Sequence, residues 1–232
     1  MTEKTLYTAL GHFRCRSDSE RHRCPVVLMD HREFGMDLQE MVLWVTLSWR
    51  LADRQQTEYY YRELANGMEL HPRRSFSDCL DRLVTRGLVV KGSGATDFDA
   101  LYDLLGGLYV VPISSHFPLK LTIFLKLLHY GASPASAAVV FRRDRRTEPE
   151  RHIMALSRGT PLSTAELIRC TECDIQNISD DQQMLALLYG DPETNSDNIA
   201  SEMRAAPSCR SVTASVANLY LRKQIIFERP CA

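Results

Sequence analysis

The sequence is poor in net charge: 28 basic residues against 29 acidic ones leave a formal charge of −1. A nucleic-acid binder is more often globally basic, so this balance weighs against a surface that attracts DNA as a whole and leaves only local patches for that role. Long apolar runs are missing as well. The richest stretch, Leu119 to Tyr130, falls short of the ~18–20 residues a membrane-spanning helix needs, and it carries Lys120 and Lys126. The opening residues, Met1-Thr-Glu-Lys-Thr5, lack the basic segment and apolar core of a secretory signal. Seven cysteines, an odd count without a compact framework, argue against a disulfide scaffold and for reduced thiols in a cytoplasm. Low-complexity segments are absent.

An apolar content of 44% and a charged content of 25% are those of an ordinary globular protein, and 232 residues suit one large domain or two small ones. An internal repeat favours two. Phe76, Leu80, Leu83 and Arg86, followed by the apolar run Leu88-Val-Val90, recur as Val212, Val216, Leu219 and Arg222, followed by Ile225-Ile226, at one constant offset. Two copies of a hydrophobic spacing solve the same packing problem twice.

Residues 1–36 are charge-rich and read as an irregular arm with one strand at most, over Pro25 to Met29. From Asp37, an N-cap candidate, Leu38, Met41, Val42, Val45 and Trp49 recur at three- and four-residue spacing and predict an amphipathic helix over 37–53. A second helix follows from Glu58 to Ala65. A third opens at His71-Pro72 and ends at Gly87, a natural left-handed cap. Leu88 to Lys91 and Leu108 to Ile113 read as strands that pair as a ribbon, with a helix from Thr96 to Leu105 at its tip and Pro112 marking an edge. The middle, 114–178, holds a helix starting at Pro118 with Leu121, Phe124, Leu125 and Leu128 on one face. It also holds a basic run from Phe141 to Arg146 and a capping box, Ser163-x-x-Glu166. Over 179–232 the sequence predicts helices from Asp180 to Tyr189, Asn195 to Ala205 and Ser208 to Lys223, closed by a strand from Gln224 to Phe227.

Three helices and a strand, twice over, resemble the winged helix-turn-helix superfamily. Leu64-Ala65, Phe76, Leu80, Leu83 and Gly87-Leu88-Val89 carry the resemblance in 37–113, and Ile199-Ala200, Val212, Val216, Leu219 and Ile225-Ile226 carry it in 179–232. It implies a mainly α protein with small β ribbons (α+β), in which tandem winged-helix modules are joined by a helical middle segment. In that superfamily the third helix enters the major groove and the ribbon touches the backbone. The resemblance thus implies a sequence-specific DNA-binding protein, a transcription regulator or a plasmid replication initiator, acting on double-stranded DNA as a homodimer. Two departures are visible: a helix replaces the flexible wing in the first copy, and the second copy ends shortly after its strand.

Groove reading needs basic, amide or hydroxyl side chains near the start of the third helix. The first copy offers His71, Arg73, Arg74, Ser75 and Ser77, with Asp78 and Asp81 diluting their field; the second offers Ser208, Arg210, Ser211 and Thr213 in a run without acids from Ala205 to Phe227. Arg142, Arg143, Arg145 and Arg146 form the densest basic cluster and suit phosphates. A solvated helix face and a soluble linker account for the same residues without DNA. Tyr59-Tyr60-Tyr61 suggests base stacking, but packing accounts for it better. His12-x-x-Cys15 with His22-x-Cys24, and Cys170-x-x-Cys173, lack the two-pair spacing of a zinc site. No nucleophile–base or paired-carboxylate arrangement stands out, so the sequence implies no enzyme, metal or cofactor. The second class of function is a tandem winged-helix module that docks proteins instead of DNA.

Overall fold

Capping chemistry sets the helix starts. Asp37 accepts from the Glu40 N–H at 2.9 Å while the Glu40 carboxylate accepts from the Asp37 N–H at 3.2 Å, so helix α1 begins at Leu38 and runs to Leu47. The same reciprocal box starts α2 (Arg54–Gly67, Asp53 with Gln56), α5 (Glu148–Leu156, Thr147 with Glu150) and α6 (Thr164–Glu172, Ser163 with Glu166). Each box satisfies two backbone donors that a helix end otherwise leaves orphaned.

The computed structural model describes residues 3–17, 23–68, 74–113, 133, 145–190 and 194–229. Among them the remaining helices are α3 (Phe76–Thr85), α4 (Asp97–Leu105), α7 (Asp181–Leu188), α8 (Ser196–Met203) and α9 (Cys209–Leu221). The strands are β1 (Lys4–Ala9), β2 (His12–Ser17), β3 (Arg23–Met29), β4 (Arg32–Gly35), β5 (Val89–Gly94), β6 (Tyr109–Pro112), β7 (Leu162–Ser163) and β8 (Ile225–Glu228). They form three antiparallel sheets, β1-β5, β2-β3-β4 and β7-β6-β8. The fold is α+β, mostly helical with small sheets. No helix among the described residues is long and apolar enough to cross a membrane.

Two apolar clusters hold these elements. The smaller gathers Val42, Leu43, Trp44 and Leu47 of α1, Tyr61 and Ala65 of α2, Leu80 and Leu83 of α3, and Leu88-Val89. The larger is built from α4, α5, α6, α9 and the β7-β6-β8 sheet, with Leu188 and Ile199 from α7 and α8. Phe34 packs against both. Strand β1 and the residues after it pass between them: the Leu10 N–H bonds to the Leu88 carbonyl at 3.0 Å, and the Gly11 N–H bonds to the Phe227 carbonyl at 2.8 Å.

Several expectations change. Far from being an irregular arm, the described part of 1–36 supplies four strands. The β3–β4 turn is closed by Asp30 and His31, both left-handed at φ 48° and 59°, the pairing that a two-residue hairpin of matching twist demands. The strands flanking α4 do not pair as a ribbon: β5 joins β1, and β6 lies between β7 and β8. Pro112 is tolerated there because β7 pairs only with Tyr109 and Val110, leaving Pro112 with β8 alone. Residues 147–172 belong to the larger core and are no linker, since Ile153, Leu156, Leu162, Leu167 and Ile168 are fully or almost fully buried in it. The helix expected from Pro118 and its apolar face lie outside the described residues.

The repeat is real at its centre. Leu80 and Val216, and Leu83 and Leu219, are equivalently buried, whereas Phe76 sits half-buried at the rim of its core and Val212 lies deep in the other.

Candidate functional site

The outward side of α3 is where a groove-reading helix would present its residues. Ser75 caps it, accepting from the Asp78 N–H at 3.1 Å and donating to the Asp78 carboxylate at 2.6 Å. Ser77 is half-buried and accepts from the Arg54 guanidinium at 2.7 Å. Arg74 turns back to the start of α1 and pairs with the Asp37 carboxylate, and its backbone N–H meets the Gln39 side chain at 3.2 Å. Burial opposes ionisation of Asp37, yet the Glu40 N–H and the Arg74 guanidinium hold its carboxyl below the ordinary value. What remains exposed along α3 is a shallow groove lined by Asp78, Asp81, Arg82, Thr85 and Arg86.

Both arginines in that groove are tethered. Glu40 is 2% exposed, and it accepts from Arg82 at 3.0 Å and from Arg86 at 2.8 Å. The arrangement recurs in the larger core. Glu150, 1% exposed, accepts from Arg222 at 3.2 Å. Glu40 and Glu150 occupy the same third position of their helices, and Arg86 and Arg222 are the matching residues of the sequence repeat. The repeated arginine thus ends one helix and neutralises a buried carboxylate at the head of another.

Helix α9 is sunk into the larger core, with eight of its thirteen residues buried. Thr213 was expected to face a groove and is fully buried, so it cannot reach a ligand. Ser208 precedes the helix, its N–H donating to Glu172 at 2.8 Å and its hydroxyl buried. Arg210 is exposed, with its guanidinium 5.0 Å over the Phe98 ring, and Ser211 is exposed beside it. Arg210, Ala214, Asn218 and Arg222 recur every four residues on the outward side, a line about 18 Å long by helical rise. At its end Arg222 donates to the Arg145 carbonyl at 3.4 Å, and Arg146 donates to Gln224 at 2.5 Å. The outward line of α9 thus runs from Arg210 to Arg222, with the Arg145 backbone at its end, and Arg222 is paired there with Glu150. His71, Arg73, Arg142 and Arg143 lie outside the described residues.

The outward side of α1 is a surface that sequence reading assigns to the interior. The amphipathic spacing of this helix runs over Leu38, Met41, Val42, Val45 and Trp49. Of these, the smaller core takes Val42, together with Leu43, Trp44 and Leu47; Met41 packs half-buried against it, and Leu38 is left 50% and Val45 43% exposed on either side. On α2, Tyr61 is buried, while Tyr59 and Tyr60 are exposed and Tyr60 lies 4.5 Å beneath Arg50. Cys170 is buried and Cys173 exposed, and burial pushes the Cys170 thiol up to about 12. No protein family, curated protein or solved structure matches the chain.

Proposed function

We propose that the chain is a non-catalytic docking protein, built as two fused trihelical modules of winged-helix type, whose partner is a polypeptide. The observation that carries this reading is the apolar line Leu38–Met41–Val45 on the outward side of α1. Residues spaced by three and four along a helix form a seam that a second helix can cover, and contiguous exposed apolar surface marks interaction sites. The surroundings favour the same class of partner: α3 presents Asp78 and Asp81, and its arginines are held by Glu40. A homodimer is the form of this reading in which the partner is a second copy. A cytoplasmic location goes with it, supported by the free thiols of Cys79, Cys170 and Cys209.

Sedimentation of the wild type and of a Leu38→Glu/Val45→Glu variant tests the reading. The account expects concentration-dependent association of the wild type that the variant abolishes with its circular dichroism unchanged. A variant that associates as the wild type does would remove the seam from consideration.

DNA binding is the second reading, favoured by the exposed Arg210 and the small or amide residues Ala214 and Asn218 that follow it on the outward side of α9, a line that ends at Arg222, whose charge Glu150 already meets. In that reading the small residues between two arginines let α9 lie against a phosphate backbone, and regulator or initiator roles follow. Arg210→Glu would abolish a salt-sensitive complex with duplex DNA if this reading holds.

A further inference from the structure

The two repeated helices end in the same hydrogen-bonded turn. After α3, the Gly87 N–H bonds to the Val84 carbonyl and the Leu88 N–H to the Leu83 carbonyl, both at 3.0 Å; after α9, the Lys223 N–H reaches Tyr220 at 2.8 Å and the Gln224 N–H reaches Leu219 at 2.9 Å. This turn needs a left-handed residue at its pivot, φ 70° at Gly87 and 58° at Lys223. Glycine takes that conformation freely, whereas the Cβ of a lysine crowds the following carbonyl. Lys223 thus holds, at some cost, a conformation that glycine would take freely.

The Lys223 side chain reaches across the junction of the two cores. The Lys223 ammonium lies 5.4 Å over the Trp49 ring. Trp49 is itself left-handed, at φ 55°, and follows α1 of the smaller core while its ring packs against the larger. Beneath them the buried Tyr220 hydroxyl, from α9, accepts from the Trp49 N–H at 2.9 Å and from Thr8 at 2.8 Å, and donates to the Ala9 carbonyl at 3.3 Å. Two of the left-handed side-chain-bearing residues thus meet at one place, and the hydroxyl beside them ties three segments together. We propose that Lys223, Trp49 and Tyr220 form a strained clamp that locks the two cores into one cooperative body. The end of α9 then cannot shift without displacing the end of α1. The clamp is independent of which partner either face binds.

Native-state hydrogen exchange on the full chain tests the clamp. Lys223→Gly gives the second turn the residue that the first already uses, so the fold is retained. The clamp predicts exchange at the Trp49 N–H at least tenfold faster in this variant, with the Gln224 N–H unchanged. It also predicts wild-type rates in Lys223→Arg, which keeps the cation, and faster Trp49 exchange in Tyr220→Phe. Unchanged Trp49 exchange in Lys223→Gly, together with a raised unfolding midpoint, would overturn the proposal, because relief of a strained cap is then the whole effect. Equal acceleration at Trp49 and Gln224 would overturn it too, since the turn itself would have been lost.

Discussion

A buried carboxylate is costly unless a cation and a hydrogen-bond donor meet it, and Glu150 has both in Arg222 and the Thr147 N–H. Arg222→Ala leaves the acid with its backbone donor alone. A fully buried pair broken this way costs ~3–5 kcal/mol; with Arg222 45% exposed, we expect about 2 kcal/mol in urea unfolding, and about 1 kcal/mol for Glu150→Gln, which removes the charge as well. An Arg222→Ala chain as stable as the wild type contradicts the clasp. Asp37 acts through pH. Its folded carboxyl titrates below the ordinary value of 3.8, so its contribution is complete above that value and is lost as pH falls through the lowered one. Asp37→Asn should therefore lower stability at neutral pH and flatten the acid limb of the stability curve, as measured by denaturant midpoints below pH 4. At this scale the sequence was partly legible: Asp37, the Ser163-x-x-Glu166 box and Gly87 were readable from local chemistry alone. The Thr147-x-x-Glu150 box carries the same local signal. The tie between Glu150 and Arg222 was not readable, because nothing local specifies a partner so far along the chain.

Elements show where periodicity misleads. Helix α1 is apolar nearly all round, so two different faces satisfied the spacing, and only packing against α2, α3 and β1 selected Leu43, Trp44 and Leu47 for the interior. The strands around α4 read correctly as strands but not as partners, because pairing depends on β1 and β8 from the two ends of the chain. The return of α4 onto β5 depends on Gly92, where a Cβ would stand 2.2 Å from the Leu104 nitrogen. Gly92→Ala is expected to cost about 3 kcal/mol, the upper end of overpacking, whereas Gly35→Ala, with nothing within 4 Å of the added carbon, should change little by thermal unfolding. Equal effects at the two positions would contradict the packing of α4 described above.

For the whole molecule, the α+β character and the repeat were legible, and the placement of 147–172 in the larger core was not, since no hydrophobic period announces which core a helix joins. The candidate surfaces were legible only as residue types. The sequence offered Arg74, Arg210 and Thr213 as equals, and folding has tied the first to Asp37, stacked the second on Phe98 and buried the third. The proposed division of labour places both third helices in structural roles and the partner's seat on α1. Titration of the full chain into a labelled pool of duplex DNA, across a range of salt, tests that division most directly. The account predicts only weak, sequence-blind binding, no tighter than the ~10⁻⁴–10⁻⁶ M typical of non-specific association at physiological salt. A tight, sequence-discriminating complex that Arg210→Glu destroys and Leu38→Glu/Val45→Glu leaves intact would contradict it.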